Sequence, residues 1–432
     1  MASTPLVHAP RYYYPILKIG NGKYASAFST LYIRGINNFD RSTSLRIQAM
    51  STTQANVAAP NGVSKFKLEP DHLLVLIHGI LASPSDWTYV EAELKRRLGS
   101  SFLIYASSSN TYTKTFGGID GAGRRLADEV MQVVQRTKSL KKISFLAHSL
   151  GGLFARYAIA VLYSPCALVS VQPDDLYSRE VACRGTLDTS TVGKIAGLEP
   201  ANFITLATPH LGVRGKNQLP FLLGVPFLEK LAPPIAPFFI GQTGRQLFLT
   251  EGKSSRPPLL LRMVSDCEDG KFISALEAFK CRTVYANVSY DHMVGWRTSS
   301  IRREKELVKP PQRSLDGYKH VVDVEYCPPV SCDGPHFPLE AAKAKEAAQT
   351  TPSTQNTAEY HNIMEEEMIR GLQRVGWKKV DVSFHSAMWP FFAHNNIHVK
   401  SEWWHNAGAG VVAHVADSLK QQESLPYITA NL

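Results

Sequence analysis

The sequence predicts an α/β fold built on a mostly parallel, doubly wound sheet, and three observations carry that prediction. Short continuous apolar runs such as Leu73-Leu74-Val75-Leu76-Ile77 mark strands buried on both faces. These runs alternate with stretches of helical periodicity, the order that right-handed crossover units produce. His78, Ser149, Thr208 and Asp291 each fall just past the end of a predicted strand, where parallel sheets keep their chemistry.

The 432 residues suffice for one large α/β domain with insertions or for two medium ones. Residues 1–68 carry eight Lys or Arg and one acid, Asp40, so +7 of the net charge of +10 sits there and +3 remains for the rest. The basic character therefore belongs to a leader, and nucleic acid is set aside as a partner. The leader is rich in Ser, Thr, Arg, Asn and Ala and lacks a continuous apolar segment, the composition of an organellar transit peptide. Its Met-Ala-Ser-Thr start favours a chloroplast over a mitochondrion. Residues 1–50 read as transit peptide, removed near Gln48 to Ser51, and 51–70 as a linker. No run of about 18 uncharged apolar residues occurs, so no spanning helix is expected. The six cysteines, at 166, 183, 267, 281, 327 and 332, lack metal-ligand spacing. Cys327 and Cys332 are close enough in sequence to pair under oxidation, but free thiols are the default.

The core is read over 71–302. After the first strand, Ser83-Pro84-Ser85-Asp86 has the form of a helix start, with a serine cap, a proline in the first position and an acid three residues on. Trp87, Val90, Leu94 and Leu98 follow at helical spacing, and Gly99 stops the helix. Phe102 to Tyr105 is the second strand. Leu126, Val130, Val133 and Val134 share one face of a second helix. Further strands are expected at Asn202 to Leu206, Leu259 to Val264 and Thr283 to Val288, with Phe272 to Phe279 helical. Residues 217–240 are apolar and proline-broken, and with their flanks (213–245) they read as a lid with a greasy inner face. Residues 303–357 read as a mobile surface insertion of partly low complexity. Residues 358–432 return to the same core with a helix near 358–375, a last strand from Lys379 to Phe384, and a closing helix over 411–421.

Residues 143–152, Ile-Ser-Phe-Leu-Ala-His-Ser-Leu-Gly-Gly, combine a buried strand, a one-residue corner at Ser149 and a glycine-opened helix. That is the layout of a nucleophile elbow, which lifts a serine hydroxyl clear of a parallel sheet. Small residues are needed two places either side of the serine, and Ala147 and Gly151 supply them. Leu153, Phe154, Tyr157, Ala158 and Val161 then give a helix apolar on most faces. A serine hydroxyl needs a base within hydrogen-bond reach and a third group to orient that base. In this fold the chain order is serine, acid, histidine. Asp291, after the strand Tyr285-Ala286-Asn287-Val288, suits the acid, with Asp266 as runner-up. His394, in a loop past the last strand, leads for the base over His385, His398 and His405. His148, next to the serine, and His292, next to the acid, read as groups that support the catalytic residues or pack beside them. Backbone N–H groups of Leu150 and Ile80, with Leu81 as the alternative to Ile80, are the expected oxyanion donors.

With His-Gly-Ile at 78–80, Ala-His-Ser-Leu-Gly-Gly at 147–152, Ala-Thr-Pro-His-Leu-Gly at 207–212 and Tyr-Asp-His-Met-Val-Gly at 290–295, the chain resembles the lipase-like serine esterases of the α/β-hydrolase superfamily. It looks most like their plant branch, which has counterparts of Ser265-Asp266-Cys267-Glu268-Asp269-Gly270 and Arg297-Thr298-Ser299-Ser300-Ile301-Arg302. Ala147 stands where the superfamily motif has glycine. The resemblance implies an α/β-hydrolase fold and cleavage of carboxylic esters, with an acyl lipid as substrate. It implies no metal or organic cofactor. Leu81, Phe221 and Leu222 are expected to meet that substrate, and the lid is expected to receive acyl chains or touch a membrane surface. The same machinery would serve an acyltransferase or thioesterase, and the fold also occurs in ligand receptors without turnover.

Overall fold

The computed structural model describes residues 69–165, 193–213, 241–252, 256–311, 313–330 and 358–424. All of them fall within the unit Phe66–Leu432. The transit-peptide reading, most of the linker, and the apolar run 217–240 with Phe221 and Leu222 lie outside the described residues.

Seven strands form the central sheet: β1 (His72–Ile77), β2 (Phe102–Ala106), β3 (Lys142–His148), β4 (Glu199–Leu206), β5 (Cys281–Asn287), β6 (Val321–Cys327) and β7 (Trp377–Val382). Their order is β6-β7-β5-β4-β3-β1-β2. Every neighbouring pair is parallel except β6 with β7. The register pairs Ile77 with Ala147, His148 with Leu206, and Asn287 with Val382. The carboxyl ends of five adjacent strands thus reach one edge together.

Alternate residues of β1 explain its unbroken apolar run. Leu73, Val75 and Ile77 pack into one layer with the helices α2 (Ile119–Arg136), α3 (Gly151–Leu162), α4 (Phe272–Glu277) and α5 (Ala358–Leu372). Leu74 and Leu76 pack into the other, with α1 (Thr88–Leu98) and α6 (Ala409–Ser424). Of the apolar residues that predicted α3, only Val161 is exposed.

Three expectations need correcting. Leu259 to Val264 is not a strand: Leu259–Arg262 is a single helical turn entered from Pro258, and its leucines pack under α5. The insertion 303–357 is not wholly a surface loop, because Val321–Cys327 forms the antiparallel edge strand β6. Ser83 does not cap with its hydroxyl, which instead bonds the Ser85 hydroxyl; a 3-10 turn over Pro84–Trp87 precedes α1. Among the described residues Cys267, Cys281 and Cys327 are free thiols, while Cys166, Cys183 and Cys332 lie outside them. No helix of the described residues is long and apolar enough to cross a membrane.

Candidate active site

Ser149 follows β3 directly and has φ of 55°, the left-handed conformation that turns its side chain out of the sheet. Close packing of strand and helix backbones holds that corner. A Cβ on Gly151 would lie 2.5 Å from the carbonyl oxygen of Ile77 and 2.6 Å from that of His78, and one on Gly152 would strike the Thr208 side chain. Ala147 is wholly buried, so its methyl fits where the commoner motif has glycine. The Ser149 N–H donates to Leu206 O at 2.8 Å, and the Thr208 hydroxyl donates to Ser149 O at 2.8 Å. The loop Thr208–Gly212 is itself fixed: the buried Arg156 guanidinium donates to His210 O and Met263 O, and the Thr298 hydroxyl bridges Leu211 N and Gly212 O. Burial pulls the Arg156 guanidinium down to about 9.

The structure brings Ser149, His394 and Asp291 together. The Ser149 hydroxyl lies 2.9 Å from His394 Nε2, and His394 Nδ1 lies 3.0 Å from Asp291 Oδ2. An ionised carboxylate only accepts, so Nδ1 carries the proton and Nε2 is left to accept from the hydroxyl. Asp291 also receives Asn287 Nδ2–H on Oδ2 at 2.8 Å, and the N–H groups of Met293 and Val294 on Oδ1 at 3.0 and 2.9 Å. Burial on its own would raise this carboxyl; the His394 imidazole and the donated hydrogen bonds outweigh it and hold the pKa below the ordinary carboxylate range.

The N–H groups of Ile80 and Leu150 donate to no acceptor among the described residues, whereas Leu81 N–H donates to the Thr115 hydroxyl at 3.2 Å. Ile80 and Leu150 are therefore the free pair, and Leu81 is not. A Cβ on Gly79 would meet Ser149 Cβ at 2.9 Å and Oγ at 3.3 Å, so this glycine lets the β1 loop lie against the serine.

The runners-up sit elsewhere. Asp266 accepts from the N–H groups of Ile273 and Ser274 and from the Ser274 hydroxyl, at the start of α4. His385 pairs with the Tyr290 hydroxyl, and His405 Nδ1 accepts Ser401 N–H. His398 stacks on His148 with ring centroids 3.8 Å apart. His292 stacks on Phe391. Exposed apolar residues stand on the segments that carry the site: Leu81 follows Ile80, Met293 lies two residues past Asp291, and Phe391 and Phe392 precede His394.

The anchoring roles of Asn287, Thr208 and Gly79 were not read from the sequence. A signal existed for two of them: Asn287 ends the strand that precedes Asp291, and Gly79 comes two residues after the strand beside the elbow.

Residues 67–301 match the family described as "Putative serine esterase (DUF676)". "Putative lipase ROG1" of Saccharomyces cerevisiae is 30% identical over 234 residues, covering 53% of this chain and 28% of that protein. "Putative lipase YDR444W" of the same yeast is 29% identical over 259 residues, covering 55% of this chain and 33% of that protein. The chain thus matches about a third of the length of these curated relatives. Among solved structures, Bacillus licheniformis lipase BlEst2 in its propeptide form is similar over 51% of this chain and 36% of that chain, at 16% identity and a TM-score of 0.29.

Proposed function

We propose that this chain, which belongs to the serine esterase family matched over residues 67–301, cleaves carboxylic esters of acyl lipids through Ser149, His394 and Asp291. One observation carries the reading: an unbroken hydrogen-bonded line from the Ser149 hydroxyl through both ring nitrogens of His394 to a buried carboxylate. Ser149 Oγ attacks the ester carbonyl while His394 Nε2 takes its proton. Asp291 stabilises the resulting imidazolium and fixes its orientation. The carbonyl oxygen becomes an oxyanion, bound by the Ile80 and Leu150 N–H groups, with each such donor contributing about 3 kcal/mol. Collapse expels the alcohol, which receives the proton from His394, and leaves an acyl group on Ser149. Water, deprotonated by His394, then releases the acid by the same steps in reverse.

The exposed apolar residues beside Ile80, Asp291 and His394 support a substrate with acyl chains and a peripheral contact with a lipid surface, as does the apolar sequence of residues 217–240. The plant-branch resemblance and the composition of residues 1–68 support a chloroplast destination. Imaging a fusion of residues 1–70 to a fluorescent protein tests it; a cytosolic signal rejects it.

The enzymatic test is Ser149→Ala. The variant should neither hydrolyse p-nitrophenyl butyrate nor react with a fluorophosphonate probe. Labelling equal to that of the parent protein would remove Ser149 as the nucleophile.

A further inference from the structure

Residue 148 precedes the candidate nucleophile, and its imidazole reaches not toward Ser149 but toward the backbone of the candidate base. His148 Nε2 lies 2.8 Å from the carbonyl oxygen of His394. A carbonyl only accepts, so Nε2 bears the proton. The short helix Ala393–Asn396 ends too soon to use that oxygen: Ile397 N–H goes to Ala393 O and Val399 N–H to Asn396 O. Among the described residues no amide outside a helix or strand donates to His394 O. The His148 ring is in turn held by His398, stacked at 3.8 Å and 26°, and Trp87 meets His398 edge-on at 5.4 Å. Burial above all, then the neighbouring imidazoles, keeps His148 neutral, so its one ring proton is committed to the carbonyl.

We infer that His148 is a positioning residue, whose Nε2–H pins the His394 backbone so that the imidazole of His394 stays in line with the hydroxyl of Ser149. Consecutive residues thus grip His394 at two points, the side chain of 148 on its carbonyl and that of 149 on its ring. The inference rests on the reading of Ser149 as nucleophile and His394 as base.

Three variants of the full chain test it. Gln places an amide N–H near the position of Nε2, Asn has the same chemistry one methylene shorter, and Phe keeps the ring stack but has no donor. Loss of the grip should cost about 10- to 100-fold in kcat, the effect of misplacing a catalytic group by roughly 1 Å, with KM little changed. The expected order is parent, then His148→Gln, then His148→Asn and His148→Phe together. Equal kcat in parent and His148→Phe overturns the inference, as does an equal loss in Gln and Asn variants. Nitrogen-15 spectra of the His394 ring give a readout independent of turnover. The Nδ1–H signal should be kept in His148→Gln and broadened or shifted in His148→Asn; identical signals in both overturn the inference. Ser149→Ala is assayed alongside, and undiminished hydrolysis in that variant would reject the nucleophile while leaving the spectra to decide on His148.

Discussion

Asp291→Asn separates an orienting carboxylate from a merely buried one, because the two orientations of the new amide fail differently. In the first, the amide oxygen keeps the N–H groups of Met293 and Val294, and the NH2 group faces His394 and Asn287. Asn287 can adapt by turning its amide, since its Oδ1 is buried without a partner among the described residues. His394 Nδ1 must then accept, which moves its proton to Nε2 and leaves no lone pair for the Ser149 hydroxyl. In the second orientation the amide oxygen faces His394 and preserves the working tautomer, but the NH2 group confronts the buried N–H of Val294 and the half-buried N–H of Met293. Leaving one or both donors unsatisfied costs about 1–6 kcal/mol. At about 1.4 kcal/mol per factor of ten, the working tautomer is confined to roughly one molecule in 5 to one in 10⁴. The variant should therefore fold, and kcat/KM on p-nitrophenyl butyrate should fall by a factor in that range. A loss smaller than about threefold, against the tautomer fraction expected from the donor cost, would refute the assignment of Asp291. Thermal unfolding of both proteins excludes loss of fold as the cause.

Other outcomes follow from the same contacts. Asp291 has a folded-state pKa below its unfolded one, so its stabilisation is complete above the ordinary carboxyl range and is lost as pH falls through the folded value; between about pH 5 and 3 the parent should lose more stability than Asp291→Asn. Burial holds His148, His210 and His398 well below the usual imidazole value. The unfolded chain alone binds protons at these sites below about pH 6.5, so urea midpoints should drop there, by up to about 1.4 kcal/mol per pH unit per histidine, and less steeply in His148→Gln. Gly151→Ala drives a methyl onto the β1 carbonyls and should cost about 1–3 kcal/mol in chemical denaturation; an unchanged midpoint would contradict the close approach. Asp266→Ala should retain parental turnover and lose about 0.5–2 kcal/mol as a helix-start acceptor; a collapse of kcat would return Asp266 to candidacy as the acid.

The strands were legible where burial on both faces forces an unbroken apolar run, as in β1 and β3. The same rule misled at Leu259 to Val264, because a six-residue run, apolar but for Arg262, has no period long enough to separate a strand from a buried helical turn. Pro257-Pro258 immediately before it was the informative signal: a strand inside the sheet cannot use residues that lack N–H groups, while a helix tolerates proline at its entrance. The edge strand β6 was hidden for the opposite reason. Asp323, Glu325 and Tyr326 are solvent-facing or half-buried, so Val-Val-Asp-Val-Glu-Tyr-Cys reads as a charged loop unless its alternation is weighed. The histidine was ranked from its place in the chain, and the sequence offered nothing to tell His394 from His398 by reach. The difference is where each ring ends up: one ring faces a hydroxyl and a carboxylate, and the other stacks four residues further on against His148.

What the sequence hid most completely is the backbone at the site edge. Leu81, Ser149, Ala207 and Tyr290 have φ of 52°, 55°, 48° and 63°, and they follow β1, β3, β4 and β5 in turn. None is glycine, so composition gives no warning of a left-handed residue at any of them. Each such residue costs on the order of 1 kcal/mol and persists only where its surroundings dictate it. Here they do: Ser149 N–H is tied to Leu206 O, Ala207 N–H to Tyr285 O, and Leu81 N–H to the Thr115 hydroxyl. The first two ties run from the end of one strand to the next, so each corner is set by its neighbour. Four corners at one edge of four adjacent parallel strands turn the chain abruptly out of the sheet, and that turn is what lets a serine and a carboxylate face one histidine while the loop after β1 lies against the serine. Strained corners after the strands, with no left-handed residue inside the seven strands themselves, are what a rigid sheet holding reactive groups at its rim requires.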